Sequence, residues 1–337
     1  MDKVAVVILN YNGAEMLRTF LPGVVAHSGG VAIVVADNAS TDNSVSVVRE
    51  LFPQVRLLQL DRNYGFADGY NKALEQVDAE YYILLNSDVE VTDGWIAPML
   101  SYMETNSGVV ACQPKLLAYK DKSSFEYAGA AGGFIDRYGY PFCRGRVFDT
   151  IEKDNGQYND VCSLFWATGA AMMVRSSSYW AVGGLDGRFF AHMEEVDLCW
   201  RMLARGGVIY AVPQSRVFHV GGATLNKSNP QKTFLNFRNN LLMLYKNLPA
   251  NELRRVMRVR AILDYVAALK FLLTGAVGDF KAVLRARREY KRLRGEYKEQ
   301  REQNLAATTV AAINERARFS LLWQYYLKGK KHFSQLK

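Results

Sequence analysis

Four short apolar runs, Val4–Leu9, Val31–Ala36, Val55–Leu60 and Tyr81–Leu85, follow one another at near-even intervals through the first quarter of the chain. Val4–Leu9 is continuously apolar and rich in β-branched residues, as a strand buried on both faces of a parallel sheet requires. Stretches with helical spacing separate the runs: Gly13–Val25, Ser44–Leu51 and Gly69–Gln76. Parallel strands need long crossovers, and helices are the usual ones. The rhythm therefore predicts an α/β fold, with an open, mostly parallel sheet flanked by helices.

Beyond this region the spacing predicts a helix over Trp95–Asn106 and a strand starting at Gly108–Pro114. Residues 118–160 have no clear period, so irregular structure with β-hairpins is expected there. A strand over Cys162–Val174, helices over Ser176–Val182 and Glu194–Arg205, and two short strands, Val208–Val212 and Val217–His219, follow. After Pro230 the pattern becomes helical throughout: Phe234–Leu248, Glu252–Leu273, Gly278–Gln300 and Asn304–Tyr326. This places a sheet-bearing domain at 1–230 and a helical C-terminal extension at 231–337.

The charge changes at the same place. The first 230 residues carry 19 Lys and Arg against 25 Asp and Glu, whereas 231–337 carry 23 against 8, for a whole-chain net charge of +9. A basic segment on a mildly acidic body suits an anionic membrane surface, a phosphate-bearing substrate or nucleic acid. At 49% hydrophobic and 22% charged residues the chain is globular rather than disordered. Cys112, Cys143, Cys162 and Cys199 form no Cys-x-x-Cys pair and have no histidine cluster, which argues against a zinc site and suits free thiols in a reducing compartment. The N-terminus lacks the basic start and cleavage site of a signal peptide. The longest apolar stretch, Ala261–Val277, is broken by Asp264 and Lys270, so no membrane-spanning helix is expected.

Ligands of open parallel sheets bind beyond the C-terminal ends of the strands. Polar clusters stand at all four ends: Asn10-Tyr11-Asn12-Gly13, Asp37-Asn38-Ala39-Ser40-Thr41-Asp42, Asn63-Tyr64-Gly65-Phe66 and Asn86-Ser87-Asp88. Together they make one crevice. Asp37 suits hydrogen bonds to a base or ribose, and Tyr11 a place against the base. Gly65, Gly69 and Asn71 suggest a loop where backbone approaches a ligand closely. Neither a GxGxxG fingerprint nor a P-loop lysine motif is present, which argues against a Rossmann dehydrogenase and a P-loop ATPase. Asp88, directly after the fourth run, is the candidate metal ligand, because a hard divalent cation needs few carboxylates when phosphates supply the other oxygens.

A second constellation is Phe189–Arg201, with Glu194, Glu195 and Asp197 at a helix start. Adjacent carboxylates raise one another's pKa, as a general base requires. Arg201 lies one turn after Asp197 and should pair with it, leaving Glu194 or Glu195 for chemistry. A third is His219-Val220-Gly221-Gly222, in which His219 is a candidate metal ligand or phosphate contact.

These segments, in this order, resemble the family 2 glycosyltransferases with a GT-A fold. VVILNYNG, VVADNASTDNS, NYGFADGYNKAL, YYILLNSDVEVTDGW, GAAMMVRSSSYWAVGGLDGRFFAHMEEVDLCWR and HVGGATL carry the likeness over residues 4–225. They look most like the bacterial branch that includes rhamnosyltransferases and other cell-surface polysaccharide enzymes. The resemblance implies a metal-dependent, inverting transfer from a UDP-, dTDP- or GDP-sugar to a glycan or lipid-linked acceptor. The nucleotide-sugar would contact Tyr11, Asp37, Asn38, Asn63, Gly65, Asn71, Asn86 and Ser87. Asp88 would be the last acid of the Asp-x-Asp metal motif, which here reads Asn86-Ser87-Asp88, and would hold Mg2+ or Mn2+ with His219. By position the base is Glu195, with Glu194 the second choice.

Basic flanks around the apolar part of Glu252–Leu273 suit helices lying on a membrane, reached from the cytoplasm at its inner face. Nucleic acid is not expected as a partner, since the tail lacks interleaved aromatic and basic residues; an oligomer is compatible with the sequence. Two other readings share the sheet. A sugar nucleotidyltransferase would not need the Glu194-Glu195 helix or the His-Val-Gly-Gly segment. A catalytically inactive scaffold on the membrane has Asn86, in place of the first acid, as its support.

Overall fold

The computed structural model describes residues 1–221 and 229–336. Gly222 to Leu225 of the last motif lie outside the described residues. The first half runs β1 (Asp2–Asn10), α1 (Ala14–His27), β2 (Ala32–Asp37), α2 (Ser44–Leu51), β3 (Arg56–Gln59), α3 (Gly65–Leu74), β4 (Ala79–Asn86), β5 (Val89–Val91), α4 (Ile96–Thr105) and β6 (Val109–Ala118). Four short strands follow, β7 (Gly133–Ile135), β8 (Pro141–Cys143), β9 (Arg146–Val147) and β10 (Thr150–Ile151). Next come β11 (Cys162–Ser163), β12 (Ala171–Arg175), α5 (Ser176–Ala181), α6 (Glu194–Ala204) and β13 (Val208–His219). The chain then turns helical: α7 (Pro230–Asn247), α8 (Ala250–Leu273), α9 (Val277–Leu293) and α10 (Lys298–Ala306).

The main sheet has nine strands in the order β11-β13-β6-β12-β4-β1-β2-β3, with β5 paired to β13. Strands β3, β2, β1 and β4 are mutually parallel, as are β6 and β13, while β12 runs antiparallel between β4 and β6. A four-stranded antiparallel sheet, β10-β9-β8-β7, fills the region without periodicity.

The apolar run of β1 divides by parity. Val4, Val6 and Ile8 enter the core under α1, α2 and α4, whereas Ala5 and Val7 enter the core under α3, α6 and α7. Both faces are covered, so no polar alternation survives in the sequence. The second core continues without a break into Leu241, Leu242, Leu244, Leu248, Val256 and Tyr290 of the C-terminal helices. Asn229 caps α7 by accepting from the Gln231 amide at 2.9 Å, and Pro230 opens the helix with its φ preset.

Four sequence expectations need correction. Cys162–Val174 is two strands, because the chain leaves the main sheet at Leu164 and Phe165 donates to Gly133 O at 2.9 Å. The two strands expected between Val208 and His219 are one, β13; its register shifts between Ala211 and Arg216, around Pro213, which has no N–H to give the ladder. Gly278–Gln300 is two helices, with Gly295 in the break. Asn304–Tyr326 is helical only to Ala306 and again at its end, where a π-helical turn spans Trp323–Leu327. Tertiary partners take the backbone in between: Thr309 donates to Ala204 O, Ala317 to Ile135 O and Leu321 to the Asp136 carboxylate, each at 2.8 Å.

The C-terminal helices are fastened to α6 by charge. Asp197 accepts from Arg201 Nε at 2.9 Å, as the sequence spacing predicts, and also from Lys246 at 2.8 Å and Asn247 at 2.8 Å. Burial works to raise the Asp197 pKa, but Lys246 and then Arg201 outweigh it and hold it below the usual carboxylate range. Removing one partner of a buried ion pair leaves the other charge uncompensated. Asp197→Ala should therefore lower unfolding free energy by about 3–5 kcal/mol in urea titrations. A loss of under about 1 kcal/mol would show that Lys246 and Arg201 find solvent or another partner.

Candidate active site

The polar residues at the strand ends come together. Register places Asn10 beside Asp37 and Leu9 beside Asn86, so the ends of β1, β2 and β4 share one edge. Asp37 is buried and accepts from Asn10 Nδ2 at 3.2 Å and the Ser40 amide at 3.0 Å. Each carboxylate oxygen keeps acceptor capacity for a base or ribose donor. The turns after β1 and β2 hold left-handed backbone at two residues that are not glycine, Asn12 (φ 51°) and Ala39 (φ 60°). Asn12 Oδ1 accepts from the Thr41 amide at 2.7 Å, and Ser40 Oγ from the Asn12 amide at 2.9 Å, which ties the two turns together. Tyr11 is 47% exposed at the tip and has its ring free for a ligand face.

Other members of the crevice have tasks within the protein. Asn38 donates to Asn63 Oδ1 at 3.1 Å and Gly65 O at 2.9 Å, and accepts from the Tyr64 amide at 2.9 Å. Asn63 also accepts from the Gly65 amide at 2.8 Å. Both asparagines therefore shape the entry to α3. That helix starts at Gly65, four residues before the spacing predicts. Gly65 has φ +75°, and a Cβ there would stand 2.4 Å from the Phe190 ring. The close approach inferred at this glycine is made to Phe190. Asn71 likewise serves the fold: it donates to Leu185 O at 2.8 Å and accepts from the Leu185 amide at 3.0 Å and Tyr179 hydroxyl at 2.6 Å. Its amide is engaged by that turn.

Asp88 and His219 meet although 131 residues separate them, because β13 pairs with β5 and sets His219 opposite Val89. His219 Nε2 lies 3.1 Å from Asp88 Oδ1 and 3.4 Å from Asn86 Nδ2. Its Nδ1 lies 3.3 Å from Glu126 Oε1. All three ionisable groups are buried. Burial would push the His219 pKa down, but Asp88 and Glu126 override it and raise it to about 10. Burial would raise Asp88, and the His219 bond and charge hold it below the usual carboxylate range.

The donor set fits a divalent cation. Once an ion displaces the proton that His219 carries between Asp88 and Glu126, a carboxylate oxygen and a neutral imidazole nitrogen suit Mn2+, and a carboxylate suits Mg2+. Among the described residues no group of three or more His, Cys, Asp and Glu side chains is arranged to hold a metal alone. An ion here would therefore take further oxygens from a ligand. Glu126 stands where an outer carboxylate orients a ligating histidine. It lies in the aperiodic 118–160 region, where no sequence signal marks it.

Glu194 and Glu195 open α6, and each has an enclosed Oε2 without a partner. A Cβ at Gly169 would stand 3.9 Å from Glu195 Cβ, and the next residue, Ala170, accepts from the Asn86 amide at 3.0 Å. That short path sets the acidic pair beside the strand end that carries Asp88. Burial raises the Glu195 pKa to about 7, and burial with the Glu195 charge raises Glu194 well above the usual range.

The loop entering α6 is strained. Phe190 (φ 66°), His192 (φ 70°) and Met193 (φ 70°) are left-handed within four residues. Asn239 of α7, fully buried, holds this shape: its amide donates to Phe189 O at 2.9 Å and to Ala191 O and His192 O at 2.8 Å. Phe190 O accepts from the Phe66 and Ala67 amides at the start of α3, at 2.6 and 3.1 Å. The Asn239-Asn240 pair, polar inside an apolar helical run, was the available signal for it.

A family model described as glycosyl transferase family 2 matches residues 5–177. An N-acetylglucosaminyl-diphospho-decaprenol L-rhamnosyltransferase of Mycobacterium tuberculosis is 28% identical over 237 residues, covering 65% of this chain and 76% of the relative. A structure of GalNAc-T7 with UDP, GalNAc and Mn2+ superposes with TM-score 0.56 at 15% identity over 73% of this chain, which spans only 48% of that one. A mannosyltransferase from Pyrobaculum calidifontis, in complex with GDP-Man and Mn2+, gives TM-score 0.52 at 14% identity over 91% of this chain and 86% of that one. At these identities the two structures establish a shared fold.

Asn239→Ala should free the strained loop while leaving α3 and α6 in place. Hydrogen exchange at the Phe66 and Ala67 amides should speed up markedly, with a stability loss of about 1–3 kcal/mol from the unpaired carbonyls. Unchanged exchange at those two amides would show that the loop holds its shape without Asn239.

Proposed function

This chain belongs to glycosyl transferase family 2, and from that premise we propose that it moves a sugar, with inversion, from a nucleoside-diphosphate donor to a hydroxyl of a glycan acceptor in cell-surface polysaccharide synthesis. The observation that carries the proposal is the contact of Asp88 with His219 at the strand ends, with two unpaired carboxylate oxygens on the neighbouring helix. The rhamnosyltransferase name of the M. tuberculosis relative makes rhamnose the first sugar to test, and the diphospho-decaprenol in that name supports a lipid-linked acceptor.

The residues at the strand ends then take these roles. Tyr11 lies against the base, and Asp37 accepts from base or ribose. Asn86 and Ser87 stand beside the sugar diphosphate. Asp88 and His219 would hold a divalent ion, Mg2+ or Mn2+, whose chemistry when bound is to neutralise the departing diphosphate. Glu195 takes the proton of the acceptor hydroxyl as its oxygen forms a bond to the anomeric carbon. The bond from that carbon to the diphosphate oxygen breaks in the same step, which inverts the configuration. Glu195 is taken as the base by its position in the motif, and a pKa raised to about 7 by burial leaves a substantial carboxylate fraction at neutral pH. Burial and the Glu195 charge raise Glu194 as well.

Calorimetry with UDP, dTDP and GDP, each with and without Mn2+, tests the donor site. One nucleotide should bind in a metal-dependent way, and Asp88→Ala should abolish that dependence. Binding that ignores Mn2+ in the wild type removes Asp88 and His219 from the ion. Glu195→Gln should keep nucleotide affinity and lower turnover by about 10²–10⁴-fold. Because the carboxylate is the active form, turnover should rise with pH through about 7. A rate that is flat across pH 6–8, or loss of turnover only in Glu194→Gln, would overturn the choice of base.

A further inference from the structure

The C-terminal helices were read from sequence as one basic membrane-facing unit, yet their charges divide. Arg287 donates to Asp264 at 2.5 Å, and Arg260 donates to the same carboxylate at 3.1 Å, all three buried. Arg260 also reaches Tyr138 O at 2.8 Å and lies over the Tyr140 ring. These arginines hold α8 and α9 to the body and have no surface to offer. Arg254, Arg255 and Arg258 of α8 are exposed.

Most exposed residues of α8 form one stripe, with Arg254, Tyr265 and Leu272 along its flank. Arg255, Arg258, Ile262, Val266, Leu269 and Leu273 recur every three or four residues, on the face opposite buried Val256, Arg260, Asp264 and Ala268. Ile262 is 66% exposed, Val266 60% and Leu273 78%, far beyond isolated surface apolar residues. Trp323, Tyr326 and Leu327 are exposed as well, and Tyr326 joins the patch at Lys270, whose ammonium lies 5.7 Å from its ring centre. The stripe is thus basic in its first half and apolar, with an aromatic edge, in its second. Among the described residues no helix is long and apolar enough to cross a membrane.

We propose that the outer face of α8, with Trp323, Tyr326 and Leu327, docks on an anionic lipid surface, its apolar half entering the interface and Arg254, Arg255 and Arg258 meeting lipid phosphates. Charge decides between a lipid and a second copy of this chain. From Leu253 to Thr274 the one acidic side chain is Asp264, which is buried. Two copies packed through this stripe would set arginine against arginine if parallel, or against apolar side chains if antiparallel, and neither supplies the acids that the arginines lack, whereas anionic headgroups complement them. Tryptophan and tyrosine at the edge suit the headgroup level. The helix lies on the bilayer rather than through it. This deepens the proposed function, for it brings the enzyme to a lipid-linked acceptor, and it rests on that reading only for the acceptor.

The test is co-sedimentation of the full chain with vesicles of phosphatidylcholine alone, or of equal parts phosphatidylcholine and phosphatidylglycerol. The wild type should bind the mixed vesicles and lose binding as salt rises. Combined Arg254→Gln, Arg255→Gln and Arg258→Gln should weaken binding about a hundredfold. Combined Val266→Glu, Leu269→Glu and Leu273→Glu should abolish it. These positions are exposed, so both variants should keep the wild-type thermal transition. Absent or charge-independent binding by the wild type overturns the proposal, as does an α8 variant that binds normally. A wild-type dimer in sedimentation velocity, lost in the glutamate variant while vesicles are ignored, would assign the face to a second copy instead. Nucleotide calorimetry on the same proteins separates the two readings: vesicle binding without nucleotide binding would sink the donor site and leave the membrane face standing.

Discussion

Much of the molecule hangs on one ammonium group. Lys246 Nζ has no solvent exposure and stands 2.6 Å from Asp186 and 2.8 Å from Asp197. Arg201 adds a second positive charge at Asp197, so two cations and two carboxylates close a neutral set. Phe189 and Tyr297 rings flank the ammonium at 5.0 and 5.6 Å. Such a set gains little over an apolar core of the same shape, since desolvation offsets most of the attraction. Its effect lies in geometry. Asp186 begins the turn before the strained loop, Asp197 sits on the base helix, and Lys246 belongs to α7, so the three elements share a single arrangement. Any other packing of α7 would strand a buried charge.

That fastening explains how three left-handed residues persist before Glu194. Each costs of order 1–3 kcal/mol and survives only where the surroundings over-determine it. Asn239 supplies the surroundings from one side and the start of α3 from the other. The strain keeps Glu194 and Glu195 adjacent and enclosed at the helix start, although two carboxylates in one dry place repel each other. With folded-state values above the unfolded 4.5, their burial favours folding at low pH and that contribution is lost as pH rises through about 7. A base tuned upward by burial thus tends to loosen its own loop at the pH where it works, which gives the C-terminal clamp a physical reason.

The legible part of this fold was the part whose signal is local. The runs ending at Leu9, Ala36 and Leu85 marked β1, β2 and β4 because both faces of those strands are largely buried, the run ending at Leu60 marked the edge strand β3 although only Leu58 of it is buried, and the strand-end position of Asp88 followed. The Asp197–Arg201 pair was legible because one turn of helix separates the two. Glu126 was not, since its position beside His219 arises from the 118–160 region, which shows no period. Asn38, Asn63 and Asn71 show what sequence could not: polar residues expected to meet the ligand also hold turns together. A side chain that shapes a crevice and one that faces its ligand can be the same residue type at the same spacing. Residues 307–322 were misread for a related reason, as their helical composition yields to backbone partners on β7 and α6.

The basic tail shows why a charge total is a weak guide to a surface. Counted together, 23 Lys and Arg against 8 acids in 231–337 describe one positive segment. Resolved by residue, Lys246, Arg260, Arg287 and Arg301 are buried. The first three meet carboxylates, and Arg301 donates to Tyr245 O. They tie the C-terminal helices to one another and to the body, and leave no side chain free for an outside partner. What remains outside on α8 is a short row of arginines followed by unpaired aliphatic side chains. Natural surfaces seldom tolerate such a face unless something covers it. The same helix therefore spends its inner face on internal ion pairs and keeps its outer one free, and position on the turn, not residue type, decides which arginine does which.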